Sequence, residues 1–414
     1  MTTELKSLLD EVADRARTYD VVERAALRGR RRRRRRQLMA AGSAVAAVLA
    51  LATAVGVIVG GPASDPRPRV GASSAPDATT PGQVGPPFPA RCTAQRLPIP
   101  DGYPHKAVVS GGDPTGRFLV GRAYLRGGGH TMLIWDNGSV RTVDMAGEDA
   151  DLYDVNSSGD AVGYSYVTPE QTAAFAYVDG TMTRLAGVNA MATQIGENGA
   201  IVGSIGTGGN AWTTVVWRSP SAQPEPLPQP TGLSNASAVA IDTDGTIIGS
   251  ARGGRGQDVP VLWRPDGTVL TLAWPRAAHP DGSSPGSIGF IGGVHDGWVA
   301  VELRDFLIDG RDHAQDDWYT WNIHTGQTRE LDVAPELVNA QGWVVAHALD
   351  AWLVLDSERG RVTLSTLPGV ADAPLTSAQV TSLSDDGRTI GGSFARLTAS
   401  FGDDDNIPVV WRCS

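Results

Sequence analysis

The chain has 414 residues, a formal net charge of −10, 19% charged and 41% hydrophobic residues, and contains 50 Gly, 27 Pro and 2 Cys. This length supports a sizeable core, and two cysteines exclude a disulfide scaffold or a zinc-finger array. The charge is unevenly placed: residues 1–37 carry a net +6 and residues 38–414 a net −16, which argues against nucleic acid as a partner of the main body.

In residues 1–27, Leu5, Leu8, Leu9, Val12 and Ala13 form a helical stripe that predicts a short amphipathic helix. A basic block follows, made of Arg28, Arg30, Arg31, Arg32, Arg33, Arg34, Arg35 and Arg36. Residues 38–61 are 24 residues without a charge. A helix of that length rises about 36 Å, enough to cross a hydrocarbon core of about 30 Å. The positive-inside rule then predicts a single-pass membrane protein, with residues 1–37 cytoplasmic and 62–414 outside. The long charged segment before the span favours an uncleaved signal anchor over a cleaved signal peptide. The arginine run is expected to hold anionic lipid headgroups beside the bilayer. Residues 62–90 are rich in Pro, Ser, Ala and Gly with few large apolar groups, and read as a stalk.

From residue 113 onward a motif recurs: a turn ending in Gly, an apolar pair, then often a second Gly. The turn glycines are Gly116, Gly159, Gly199, Gly245, Gly297, Gly342 and Gly387, spaced 43, 40, 46, 52, 45 and 45 residues apart. An aromatic closes a later strand in most units: Trp135, Tyr177, Trp217, Trp263, Trp321 and Trp411, with Leu355 read into the sixth place. A final short strand follows, as in residues 140–145, 182–187, 269–274, 328–333 and 362–367. Four short strands with tight turns every 40–52 residues predict an all-β fold, a seven-bladed β-propeller.

The seventh unit lacks its last strand, because the chain stops at residue 414. Residues 92–99 precede the first unit without belonging to it. Joined, the two ends resemble residues 215–230 of the third unit, so the strand over 92–99 is expected to complete the last blade. That places Cys92 beside Cys413 and predicts a disulfide locking the ring, in a compartment where disulfides persist.

The units resemble the HAF-type repeats of bacterial extracellular propellers, most closely at residues 151–165, 238–251 and 380–394. Val301 and Ala346 stand where the second Gly is expected in units five and six. The resemblance implies a WD40-like propeller at the cell surface and no defined activity. The N-terminal segment resembles that of membrane proteins with a zinc-binding anti-sigma domain, yet no His or Cys precedes Cys92.

The tight turns lie on one face, read as structural, and the long loops on the other, read together with the channel mouth as the place for function. Candidate cation ligands, Ca²⁺ among them, are Asp309, Asp312, His313, Asp316 and Asp317 in the fifth unit, and Asp403, Asp404 and Asp405 in the seventh. Arg252 and Arg255 offer grips for an anion. Trp212 and Trp318 are candidate ligand contacts, whereas the strand-end aromatics are read as inter-blade packing. Asp242-Thr243-Asp244-Gly245 resembles a calcium-loop fragment but lacks the downstream Glu, and its register marks a hairpin turn. No esterase elbow, zinc-protease helix or P-loop is present. The expected role is a binding module for an envelope ligand or protein. Two other roles remain: a carbohydrate-active hydrolase or lyase using acidic residues of the long loops, and signalling through the tail.

Overall fold

The computed structural model describes residues 85–414 apart from residues 102–105, 126–128, 209–210, 255–256, 274–286, 305–316, 349–352, 369–377 and 397–404. The tail, arginine block, apolar span and most of the stalk lie outside the described residues. Among the described residues there is no α-helix, and none long and apolar enough to cross a membrane.

The compact unit Pro87–Ser414 is a seven-bladed β-propeller of four-stranded antiparallel sheets. Blade 1 runs through Ala107–Gly112, Phe118–Tyr124, His130–Asp136 and Ser139–Val143; blade 2 through Glu148–Val155, Ala161–Thr168, Gln171–Val178 and Thr181–Arg184. Blade 3 comprises Ala190–Ile195, Ile201–Gly208, Ala211–Trp217 and Glu225–Pro226; blade 4 Ser234–Ile241, Ile247–Arg252, Asp258–Trp263 and Val269–Thr271. Blade 5 comprises Ser287–His295, Trp298–Arg304, Asp317–Asn322 and Thr328–Leu331; blade 6 Ala334–Val338, Val344–His347, Leu353–Ser357 and Gly360–Thr363. Blade 7 takes Ala378–Leu383, Thr389–Arg396 and Asp405–Cys413 from the C-terminus and Cys92–Arg96 from the N-terminal side.

There is no single central core. Each of the seven seams between blades holds its own apolar cluster. The repeated apolar pair explains this, because successive strand residues point to opposite faces. In blade 1, Leu119 packs toward blade 7 and Val120 toward blade 2. Ile201 and Val202, Ile247 and Ile248, and Val344 and Val345 divide in the same way between preceding and following seams.

The second Gly has an equally local cause. Every inner strand carries a register shift, as between Val109 and Gly111 or Ala192 and Gln194. Opposite it, a Cβ on Gly121, Gly163, Gly203 or Gly249 would sit 1.9–2.0 Å from an inner-strand carbonyl oxygen. In blade 7 the place belongs to Gly392, whose neighbour Gly391 occupies the second apolar position. In blade 5 the shift moves one pair nearer the turn, between Ile291 and Val294, which admits Val301.

The strand-end aromatics are inter-blade staples. Trp135, Trp217, Trp263 and Trp411 are buried, and each indole N–H donates at 2.8 Å to a carbonyl just beyond the preceding blade's outer strand: Pro98, Ala186, Pro228 and Ser365 respectively. Register corrects the sixth blade: Asp356, not Leu355, pairs with Val344 and so holds the aromatic place.

The N-terminal strand pairs in register with the last, from Cys92 opposite Cys413 to Arg96 opposite Val409, and Cys92 and Cys413 form a disulfide. The strand predicted over 92–99 ends at Arg96; Leu97 then turns into the blade 7–blade 1 cluster and Pro98 receives Trp135.

Candidate functional site

The seven inner strands surround a channel with a cavity of about 210 Å³, lined by residues from all seven blades. It reaches the tight-turn face, since Pro114, Glu197, Asp242, Thr243 and His295 line it. The ionisable lining residues are Tyr153, Asp154, Glu197, Asp242 and His295; no Lys or Arg belongs to the described lining.

Each acid sits at a place where one blade clasps the next. Asp154 Oδ2 accepts the Ile195 backbone N–H of blade 3 at 2.9 Å. Burial pushes its carboxyl up to about 7, against the lowering effect of the Ile195 and Val155 N–H groups. Glu197 accepts from the Ser157 N–H and hydroxyl of blade 2. Asp242 is buried and accepts the Thr243 N–H and the Gly297 N–H of blade 5, both at 2.8 Å. Behind His295 stands Asp385, whose Oδ1 accepts the Ala340 N–H at 3.0 Å and lies 3.7 Å from His295 Nδ1. Burial raises the Asp385 carboxyl, opposed by the His295 charge. His295 Nδ1 itself is buried with no hydrogen-bond partner among the described residues. These acids are held by backbone donors, which does not favour the hydrolase reading.

A second polar cluster lies at the other end of the blade 1–blade 2 seam. Arg122 donates to Asp149 at 2.7 Å and to the Tyr124 hydroxyl at 3.0 Å, and lies 3.6 Å from Asp151. Asp151 also takes the Ser110 hydroxyl, and burial pushes it up to about 6. Tyr153 stacks on Tyr164 with centroids 4.8 Å apart.

The loop candidates fare unevenly. Asp309, Asp312, His313, Asp316, Asp403, Asp404 and Arg255 lie outside the described residues. Asp317 begins a blade 5 strand and is buried, and Asp405 begins the last strand of the chain. Arg252 ends a strand and pairs with Asp258 at 3.5 Å. Trp212 is 49% exposed, while Trp318 packs against the cluster between blades 5 and 6.

The Asp242–Gly245 segment is the hairpin turn its register implied, with Gly245 at φ 83°. The sequence did not reveal that His324, from a turn of the next blade, joins it: His324 Nε2 lies 3.0 Å from Asp242 Oδ2. Asp242, Asp244 and His324 offer ligand atoms within 4.8 Å of one another, a donor set that suits a divalent metal. Asp244 already accepts the Thr246 N–H and hydroxyl. The missed signal was the blade stacking, which sets the third-to-fourth turn of one blade against the first-to-second turn of the blade before it.

No family model matches the chain, and no curated protein matches its sequence. Among solved structures, the β-propeller domain of the Trilobed protease from Pyrococcus furiosus, described as having an open velcro topology, is similar with a TM-score of 0.50 and 10% identity; the match covers 74% of this chain and 95% of that one. A chain of the Mitotic Checkpoint Complex matches with a TM-score of 0.39 and 16% identity over 84% of this chain and 99% of its own. TolB from Acinetobacter baumannii matches with a TM-score of 0.35 and 14% identity over 76% and 65%. At 10% identity the likeness to the Trilobed protease domain shows the propeller fold alone.

Proposed function

We propose that the protein is a binding module of the cell envelope: a propeller of the HAF-repeat type, held outside the membrane by a signal anchor over residues 38–61, with residues 1–37 cytoplasmic and the Arg30–Arg36 run on anionic headgroups. The Cys92–Cys413 disulfide supports an oxidising, extracytoplasmic setting. The ligand enters the channel and presents a small cationic group, an amine or guanidinium, of an envelope molecule or partner protein.

The observation that carries this reading is the channel lining, which offers Asp154, Glu197 and Asp242 without a Lys or Arg among the described residues. A carboxyl raised by burial gains most from an incoming cation, which restores its charged form. The test is a thermal-shift titration of the full-length chain with N-acetyl-argininamide, against uncharged N-acetyl-glutaminamide. At 100 times Kd the first should add about 2.7 kcal/mol and the second nothing. Equal shifts, or the same shift in an Asp154→Asn, Glu197→Gln double variant, would contradict it.

A further inference from the structure

The seam between blades 5 and 6 breaks the rule that the other six obey. At each of those, the blade that follows supplies an aromatic to the seam: Trp135, Tyr177, Trp217, Trp263, Trp321 or Trp411. Blade 6 supplies Asp356, buried and bonded at 2.9 Å to Arg329 of blade 5 and at 2.8 Å to Arg361. Blade 5 departs at the same seam. Its Thr320 pairs with Ala300, where the equivalent positions hold Ile134, Ala176, Val216, Leu262, Leu355 and Val410.

A cavity of about 150 Å³ lies here, lined by Trp298, Thr320, Arg329, Trp343 and turn residues that include Gln327 and Gln341. Thr320 is 1% exposed, and its hydroxyl has no hydrogen-bond partner among the described residues. A buried hydroxyl with no partner is unfavourable, and six blades avoid it with an apolar side chain. Retaining it beside a cavity points to a partner that comes from outside the chain.

We propose that this seam binds one uncharged, polyhydroxylated ring, the size of a single sugar residue. The charges argue for neutrality. Arg329 is engaged by Asp356 and by the Gly342 carbonyl, and Glu358 and Arg359 at the rim are of opposite sign. The hydroxyl of Thr320 and the amides of Gln327 and Gln341 both donate and accept, as sugar hydroxyls require. The Trp298 indole, half-buried against Gly342, offers an apolar face to ring C–H groups. The site is separate from the channel and does not depend on a cation binding there.

The test is saturation-transfer NMR on the full-length chain in a zwitterionic, sugar-free detergent, with the methyl glycosides of glucose, galactose, mannose and N-acetylglucosamine as probes. At least one should receive saturation. Thr320→Val keeps the side-chain shape and removes only the hydroxyl, so the fold and melting temperature should be retained while affinity drops roughly tenfold. No saturation of any probe, or a Thr320→Val variant that binds as well as the parent, would overturn the proposal.

Discussion

Replacing both Cys92 and Cys413 by Ser tests how the ring is closed. The cysteines are 321 residues apart. In the chain-entropy model a loop of that length contributes about 5.8 kcal/mol, a ceiling that strain and residual structure in the unfolded chain reduce to about 3–5 kcal/mol. The strand pairing from Thr93 to Arg96 remains in the variant, so the ring should still close but more weakly. For a propeller of this size, unfolding entropy near 2.1 cal/mol/K per residue converts a loss of about 4 kcal/mol to a fall of about 6 °C in melting temperature. The assay is a thermal melt of parent and variant, each with and without reductant. The parent should fall to the variant's value on reduction, and the variant should be indifferent to reductant. An oxidised parent that melts with the variant would refute the reasoning, because the disulfide would then constrain nothing in the unfolded chain.

Other outcomes follow from the repeat. Gly203→Ala places a Cβ 2.0 Å from the Met191 carbonyl oxygen and should cost about 1–3 kcal/mol in denaturant melts, whereas Gly254→Ala, with nothing within 4 Å, should be near neutral. Trp217→Phe removes the indole N–H bonded to the Ala186 carbonyl and should cost about 1–2 kcal/mol beyond its packing loss. Asp154 titrates near 7 in the folded protein against about 3.9 unfolded, so the folded state binds the extra proton. Its contribution is therefore favourable below about pH 4 and is lost as pH rises through 7. The span sets a ceiling of about 4 kcal/mol, which water in the channel screens to a fraction. Asp154→Asn should melt higher than the parent at pH 8 and match it at pH 4.5.

The fold was legible because its rules are local. The turn glycines, apolar pairs and strand-end aromatics each answer a constraint within one blade or between neighbours, the glycine in all seven blades and the pair and the aromatic in six each. Closure was legible from one mismatch, a last unit short of a strand and an unassigned strand before the first unit. The departures were harder to place. Leu355 and Gly391 look right by spacing alone, and only pairing register moves those roles to Asp356 and Gly392. A channel mouth followed from the propeller, but the residues that line it were not legible. Asp154, Glu197 and Asp242 come from three different blades and look like ordinary turn or strand residues in a linear reading. Sequence reasoning placed function on the long loops because loop length is visible in sequence. Convergence of short turns around an axis is not, yet both described cavities are lined by tight-turn residues.

The channel's role is tested most directly by calorimetry of N-acetyl-argininamide binding to the full-length chain at pH 7, in two buffers of different ionisation enthalpy. A guanidinium seated beside Asp154 should drive its proton off, so the observed heats should differ between buffers by a fraction of a proton per site, and the difference should vanish in Asp154→Asn. Binding with identical heats in both buffers, or no binding at all, would contradict the channel as the place where this propeller recognises its ligand.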